Sequence, residues 1–323
     1  MYNLTTIGDI KLDVFIDLGD DAKVACDLNR EDCLIQIKYG EKIPVDSAVT
    51  MMAGSAPNVA IGARLLGATT SILSVVGDDT TATLALDGLR RHGIPIDGIT
   101  VAPNTQSSFS AVLNFEGEST ILAVHRPHVF SLPHTLNTEW LFVSEMGPNY
   151  KDLFRDIVAR VHNDGLRIGI NPGVIQLEER DQTLLDLIRH AHLLIINKEE
   201  AQDLCACGLE EMDPLLRTMQ ELGPKTVMIT NGREGAWGTQ DGDIYHAPMF
   251  PGERVEATGA GDAFSSGVLA ALIAEQPLRA ALAWGSVNAA SVVQYIGPQR
   301  GLLTRTQLSA RLAEHPEYSV QAL

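Results

Sequence analysis

Cations are scarce in this chain of 323 residues: 24 lysines and arginines stand against 41 aspartates and glutamates, a net charge of −17. Nucleic-acid binding needs a basic face, so nucleic acid is not expected as a partner, and an anionic membrane surface is disfavoured for the same reason. Long apolar runs are missing as well. The most apolar segment, Ala263 to Ala274, is about a dozen residues, too short to span a bilayer. The opening residues Met1 to Asp9 carry neither a basic cluster nor a long apolar stretch, so a cytoplasmic location is expected. Linkers rich in glycine, serine or proline are absent, as are internal repeats, which favours one domain over residues 1–323. There are only four cysteines. Cys205-Ala206-Cys207 is neither a zinc-ribbon nor a redox spacing, and Cys26 and Cys33 complete no metal set, so reduced thiols are expected. His125 and His128 lack partners at metal-ligand spacing and read as two solvated histidines. No G-x-x-x-x-G-K-[ST] loop occurs, Phe264 breaks the dinucleotide fingerprint that Gly259-x-Gly261 would begin, and the protein-kinase loop set is missing.

What is present is ordinary globular composition, with 45% hydrophobic and 20% charged residues, in two alternating textures. Strands and helices follow one another through most of the chain. Helices are expected from Ser55 to Leu66, stopped by Gly67, from Thr80 to His92, Lys151 to His162, about Glu199 onward, Ala260 to Ala274 and Leu278 to Gln294. Strands are expected at 70–76, 140–144, 167–170, 193–196 and 226–230. Continuous apolar runs such as Leu193-Leu194-Ile195-Ile196 suit a parallel sheet covered on both faces, which makes the fold class α/β, doubly wound. Two segments break the alternation. Residues 11–50 and 105–126 read as short strands of period two, the second as a hairpin turning at Glu116-Gly117-Glu118. They are expected to form a small separate sheet. In the first, Cys33, Ile35 and Ile37 line one side.

The stretch Glu256-Ala257-Thr258-Gly259-Ala260-Gly261-Asp262-Ala263-Phe264 carries the most chemistry. Its two glycines let backbone approach a ligand closely, and it opens an apolar helix, where first-turn N–H groups and the helix dipole favour an anion. Asp262 falls in that first turn. A carboxylate beside an anion site repels the anion unless it has a chemical role, and accepting the proton of an attacking hydroxyl is such a role. A plain helix-start acid is the alternative.

These residues resemble the C-terminal signature of the ribokinase-like (PfkB) carbohydrate kinases. Met52-Ala53-Gly54-Ser55-Ala56-Pro57-Asn58, continuing to Gly77-Asp78-Asp79, resembles their N-terminal signature. Asn197-Lys198-Glu199-Glu200 is similar to their N-x-x-E motif, and Thr230-Asn231-Gly232-Arg233-Glu234-Gly235 to their nucleotide loop. The four motifs stand in family order over about residues 5–301. The resemblance implies an α/β domain with a β-sheet lid, here 11–50 and 105–126, and transfer of the ATP γ-phosphoryl group, with Mg²⁺, to a hydroxymethyl group of a sugar-like acceptor. It implies Asp262 as catalytic base, with Gly259, Ala260 and Gly261 as the anion hole. Asp13, Gly54 and Asn58 would bind the acceptor. Asn197, Thr230, Gly232, Gly235 and Asn288 would border the nucleotide. Glu200 would hold Mg²⁺ through water, and Glu256 and Thr258 would be ligands of a potassium ion. Three departures stand out: Ala53 replaces a common glycine, Glu256 replaces the commoner aspartate, and Asn171-Pro172-Gly173 stands where many members carry an Asp-containing motif. A homodimer through the lids is implied too. Within the family, the low aromatic content of 5% favours a sugar over a nucleoside acceptor. Lys11 and Arg126 could serve a sugar phosphate, although exposed surface charge is the plainer reading of each. A non-catalytic sugar- or nucleotide-binding regulator on the same fold is the remaining alternative.

Overall fold

In the computed structural model, which describes residues 1–19, 22–26, 33–115 and 118–323, ten strands form one sheet. Its order, from one edge, is Gln321–Ala322, Asp243–Ala247, Ala236–Gln240, Thr226–Thr230, Leu193–Asn197, Arg167–Ile170, Thr138–Val143, Tyr2–Ile7, Thr70–Gly77 and Ile99–Ala102. The seven strands from Thr226–Thr230 onward run parallel, and the three at the other edge are antiparallel. Side chains alternate between two buried layers, as the apolar runs require. Leu141, Val143, Leu194 and Ile196 enter one core, and Trp140, Phe142, Leu193 and Ile195 the other. Both faces are therefore dry, and helices cover each.

The helices that matter for the site pack closely because their contact residues are small. A Cβ at Gly267 of Ala260–Ile273 would lie 2.7 Å from Trp284 O of Leu278–Val292, and one at Gly62 of Ser55–Leu65 would lie 2.3 Å from Ser266 Oγ. The three helices thus stack with little room to slide. Several helices went unforeseen, among them Val174–Glu179, Gln182–Arg189, Met212–Glu221 and Arg305–Glu314.

A second sheet holds Ser47–Ala53, Lys11–Asp17, Ser108–Phe115 and Glu118–Val124 in that order. Its central pairing is parallel and its outer pairings antiparallel. A separate antiparallel pair joins Lys23–Cys26 to Cys33–Gln36. That strand stops before Ile37, so the apolar side expected of Cys33, Ile35 and Ile37 is not one strand face: Ile35 is half-buried, and Cys33 and Ile37 are exposed. The turn expected at Glu116-Gly117 lies outside the described residues. Gly77-Asp78-Asp79 fixes the return to this sheet. Asp79 caps the helix Thr80–Arg91 through Ala82 N–H and also accepts from Ser107 N–H and Oγ, while Asp78 accepts from Asn104 N–H.

The cysteines are not thiols. Cys26 and Cys33 are register partners in the small pair, and Cys205 and Cys207 flank Ala206, whose left-handed φ of +49° turns them together; both pairs are disulfide-bonded. Spacing alone could not show that juxtaposition.

Candidate active site

Four residues of interest lie at the carboxyl ends of parallel strands, the position at which doubly wound sheets bind ligands. Asp9 follows Tyr2–Ile7, Glu145 follows Thr138–Val143, and Asn197 and Thr230 end their strands. Asp262 sits above them, in the first turn of Ala260–Ile273. Gly259 starts that helix at φ +82°, and a Cβ there would lie 2.4 Å from Pro298 Cβ, so only glycine fits. At Gly261 a Cβ would meet nothing within 4 Å, and the residue is exposed. Ala260 N–H donates to Ala257 O at 3.1 Å and Ala263 N–H to Gly259 O at 2.9 Å, while the N–H groups of Gly261 and Asp262 between them have no backbone acceptor. Together with the dipole they form a cradle for an anion.

Asp262 Oδ2 accepts a hydrogen bond from Asn58 Nδ2 at 2.7 Å, joining residues 204 apart in sequence. Gln299 Nε2 donates to Asn58 Oδ1 at 2.8 Å and to Met52 O at 3.0 Å. The side chain of Asn58 is thus fixed from both ends. Burial pushes the Asp262 carboxyl up to about 6, against the pull of the Asn58 bond. Ser55 adds a second side-chain hydrogen bond, and a half-buried carboxyl oriented in this way suits a proton acceptor.

Asp13, on the second sheet, is buried, and its Oδ1 has no hydrogen-bond partner. Burial pushes its carboxyl up to about 6 as well, with Lys11 working against the rise. Lys11 is not a surface charge. It is buried two residues before Asp13 on the same face, and its Nζ lies 2.6 Å from Glu145 Oε1. Burial works to raise the Glu145 carboxyl, but the Lys11 ammonium prevails and holds it below its usual range. Asp9 is buried and receives His125 Nδ1 at 3.0 Å on Oδ2, while its Oδ1 is unpartnered. His125 and His128 are therefore not the solvated pair expected. His125 is half-buried against Asp9, and His128 is buried with neither ring nitrogen bonded. Arg126 is half-buried and donates to Gln106 Oε1. Gly54 has φ +110°, and a Cβ there would lie 2.4 Å from Asp9 O. Its requirement is close backbone packing at the entry to Ser55–Leu65. Ala53 is buried at the end of its strand, opposite Lys11.

The expected nucleotide and metal residues divide. Asn197 and Glu200 form a capping box: Asn197 Oδ1 accepts from Glu200 N–H at 2.8 Å, and Glu200 Oε2 accepts from Asn197 N–H at 3.0 Å. Burial, reinforced by Glu199 and Glu145, raises the Glu200 carboxyl. Thr230, Gly232 and Gly235 form a tight strand–turn–strand, where a Cβ at Gly235 would lie 2.1 Å from Ala247 O. Asn288 is bonded within the chain. It is fully buried, donating to Ala263 O and Ser266 Oγ and accepting from Leu303 N–H. Glu256 is also engaged by the protein, as its Oε1 accepts from Thr258 N–H and Ser119 Oγ and its Oε2 from Gly297 N–H. Both oxygens of its carboxylate are thus occupied by donors of this chain, and among the described residues no cluster of His, Cys, Asp or Glu could hold a metal unaided.

The family model described as pfkB family carbohydrate kinase matches residues 19–305. The chain belongs to this family. Ribokinase of Bacillus subtilis is 28% identical over 85% of the chain and 92% of its own length, and nucleoside kinase of Methanocaldococcus jannaschii is 25% identical over 84% and 89%. Among solved structures, Arabidopsis thaliana ribokinase complexed with ribose and ATP superposes with TM-score 0.78 at 17% identity, covering 96% of this chain and 98% of that one. An Escherichia coli structure in complex with ATP and Mg²⁺ gives TM-score 0.77 at 17% identity, covering 98% and 100%. The chain is accordingly a carbohydrate kinase of ribokinase-like fold, in a family that uses ATP. Among its described residues no helix is long and apolar enough to cross a membrane.

Sequence reading of this pfkB chain gave no role to Asp9, Glu145 or Gln299 and took His125 for a solvated residue. Asp9 and Gln299 stand in stretches that resemble the family, Gly8 to Asp13 and Gly297 to Gln299, and Glu145 stands in none. The available signal was position: Asp9 and Glu145 each follow a strand by two residues, at the ligand end of the sheet.

Proposed function

We propose that the chain transfers the γ-phosphoryl group of ATP to a hydroxymethyl group of a small uncharged sugar, with Asp262 as general base. The hydrogen bond between Asn58 and Asp262 carries this reading, because it places the acceptor-side helix and the anion cradle on one carboxylate. Asp13 orients the acceptor hydroxyl, its free Oδ1 supplying the acceptor atom. Gly259, Ala260 and Gly261 present backbone to the transferred group, which is mainly electrostatic work. Glu145 lies close enough to both Glu200 and Asp262 to raise their carboxyls. Such a concentration of negative charge fits Mg²⁺, which would reach Glu200 through water and offset the phosphate charge when bound with ATP.

The charge around Asp13 defines the acceptor further. Lys11 is already paired to Glu145 and His125 to Asp9, which leaves Asp13 and Asp262 uncompensated. A sugar acid or sugar phosphate would add a third negative charge there. The aromatics also favour a sugar over a nucleoside: Tyr39 is fully exposed, and Phe109 lies on the sheet face opposite Ser108 and Ser110. The test is a phosphorylation screen with ATP and Mg²⁺ over neutral sugars, sugar acids, sugar phosphates and nucleosides. Neutral sugars should give turnover. Turnover confined to nucleosides or phosphates would contradict the acceptor class, and ATP binding with no turnover on any acceptor would leave a regulator.

A homodimer through the second sheet belongs to the same reading. That sheet leaves Phe109, Leu122 and Val124 exposed on its outer face, more apolar surface than a lone edge sheet carries comfortably.

A further inference from the structure

Glu256 joins the second sheet to two segments of the main body that border the anion cradle. Its side chain is 3% exposed. Oε1 accepts from Thr258 N–H at 2.7 Å and lies 3.1 Å from Ser119 Oγ, whose hydroxyl it shares with Asn114 Oδ1 at 2.8 Å. Oε2 accepts from Gly297 N–H at 2.9 Å. Thr258 immediately precedes the cradle glycine Gly259. Ser119 belongs to the strand Glu118–Val124 of the second sheet. Gly297 begins the Gly297-Pro298-Gln299 turn, in which Pro298 presses on Gly259 and Gln299 holds Asn58. Next to this network, Arg254 and Glu118 add an exposed ion pair at 2.8 Å between the same two segments.

A carboxylate that accepts from backbone N–H groups on both oxygens has strong charge-assisted bonds and little remaining affinity for a cation, since those N–H dipoles point their positive ends at the place a cation would occupy. The extra methylene of glutamate over aspartate is what lets one side chain reach donors on both sides. We propose that Glu256 is a positioning residue that ties closure of the second sheet to the geometry of the anion cradle, and that its carboxylate, engaged on both oxygens by donors of this chain, is closed to a monovalent cation. The proposal rests on the kinase reading of Asp262 and its cradle for its kinetic consequences, but the coupling itself is structural.

The experiment therefore has two independent arms. The first is hydrogen exchange of the strand Glu118–Val124 and of residues 256–262 in wild type, Glu256→Gln and Ser119→Ala. Exchange should quicken in both segments in Glu256→Gln and in the strand alone in Ser119→Ala. Unchanged exchange in a folded Glu256→Gln would overturn the coupling, whether or not the protein is a kinase. Ser119→Ala keeps this arm decisive should Glu256→Gln fold poorly, because it removes one hydroxyl and leaves both backbone bonds to Glu256 in place; unchanged exchange in its strand would likewise overturn the coupling. The second arm is turnover in KCl against NaCl at equal ionic strength. Wild type should show equal kcat/KM in both salts. Ser119→Ala should raise the acceptor KM by about two- to tenfold, as for loss of one hydrogen bond, with ATP affinity unchanged. Glu256→Asp, too short to span the donors, should fall in kcat and gain a dependence on K⁺. Selective activation of the wild type by K⁺ would overturn the closure of Glu256 to the cation.

Discussion

At the scale of single residues, the proposed chemistry rests on two carboxyls that burial holds at about 6, Asp13 and Asp262. Both act as anions in the proposed reaction. The acceptor kcat/KM should therefore fall as pH drops through about 6 and level off above about 7, and because the two groups feel each other the limb reports apparent values of the pair. Stability should run the other way. Folded-state values above the ordinary 3.8 mean that the fold binds protons the unfolded chain has released, so these groups favour folding below about 4 and that contribution is lost as pH rises toward 6. A rate that stays flat from pH 7.5 to 5 would remove both groups from the mechanism. Asp13→Ala should raise the acceptor KM by about ten- to hundredfold, the loss of one charged hydrogen bond, with the ATP KM nearly unchanged. A shift confined to the ATP KM would place Asp13 elsewhere. Residues of this kind were legible unevenly. Asp262, Asn58 and Gly54 stood inside motifs. Lys11 and His125 did not, and composition gives no hint that a lysine will be buried, since that depends on Glu145, more than a hundred residues away.

At the scale of elements, period and caps fixed most of what the site needs. The strands Arg167–Ile170 and Thr226–Thr230 and the start of Ala260–Ile273 coincide with the expected bounds, because apolar runs and glycine stops are local signals. Where a residue on a helix points was not legible. Asn288 read as a nucleotide contact, yet it bonds the first two turns of the helix that carries Asp262 and the backbone of Leu303. Its neighbour in function, Gly261, points into open space. The two positions should therefore separate stability from binding. Asn288→Ala leaves buried partners unsatisfied and should cost about 1–3 kcal/mol of stability, with ATP affinity retained in the folded fraction. Gly261→Val should keep a near-native Tm, apart from a small propensity loss, while its side chain fills the cradle and ATP turnover collapses. Calorimetric unfolding and ATP titration on both variants check this, and the reverse pattern would exchange their roles.

At the scale of the molecule, the doubly wound sheet and the separate second sheet followed from texture alone, since continuous apolar runs and period-two alternation bury different numbers of faces. Register and covalent pairing did not follow: Cys26 faces Cys33 only once the two strands are paired. The outer face of the second sheet should bring two copies together, so light scattering at micromolar concentration should give about twice the 34.9 kDa chain mass. Introducing a charge at the exposed Leu122 should return it to the monomer, and a wild-type monomer would remove the dimer. The whole arrangement converges on one carboxylate, and Asp262→Asn probes it with almost no change in shape. The amide oxygen can still accept the Asn58 bond and the buried charge is gone, so Tm at pH 7 should equal or exceed that of wild type, and ATP should bind as well or better. The loss is in proton transfer, about 10²–10⁴ in rate. The most direct measurement is steady-state turnover of the neutral sugar found by the screen, in Asp262→Asn and wild type side by side with their melting curves. The account predicts a kcat lower by at least about a hundredfold in a protein that melts no earlier; a folded Asp262→Asn that turns over like wild type would contradict it.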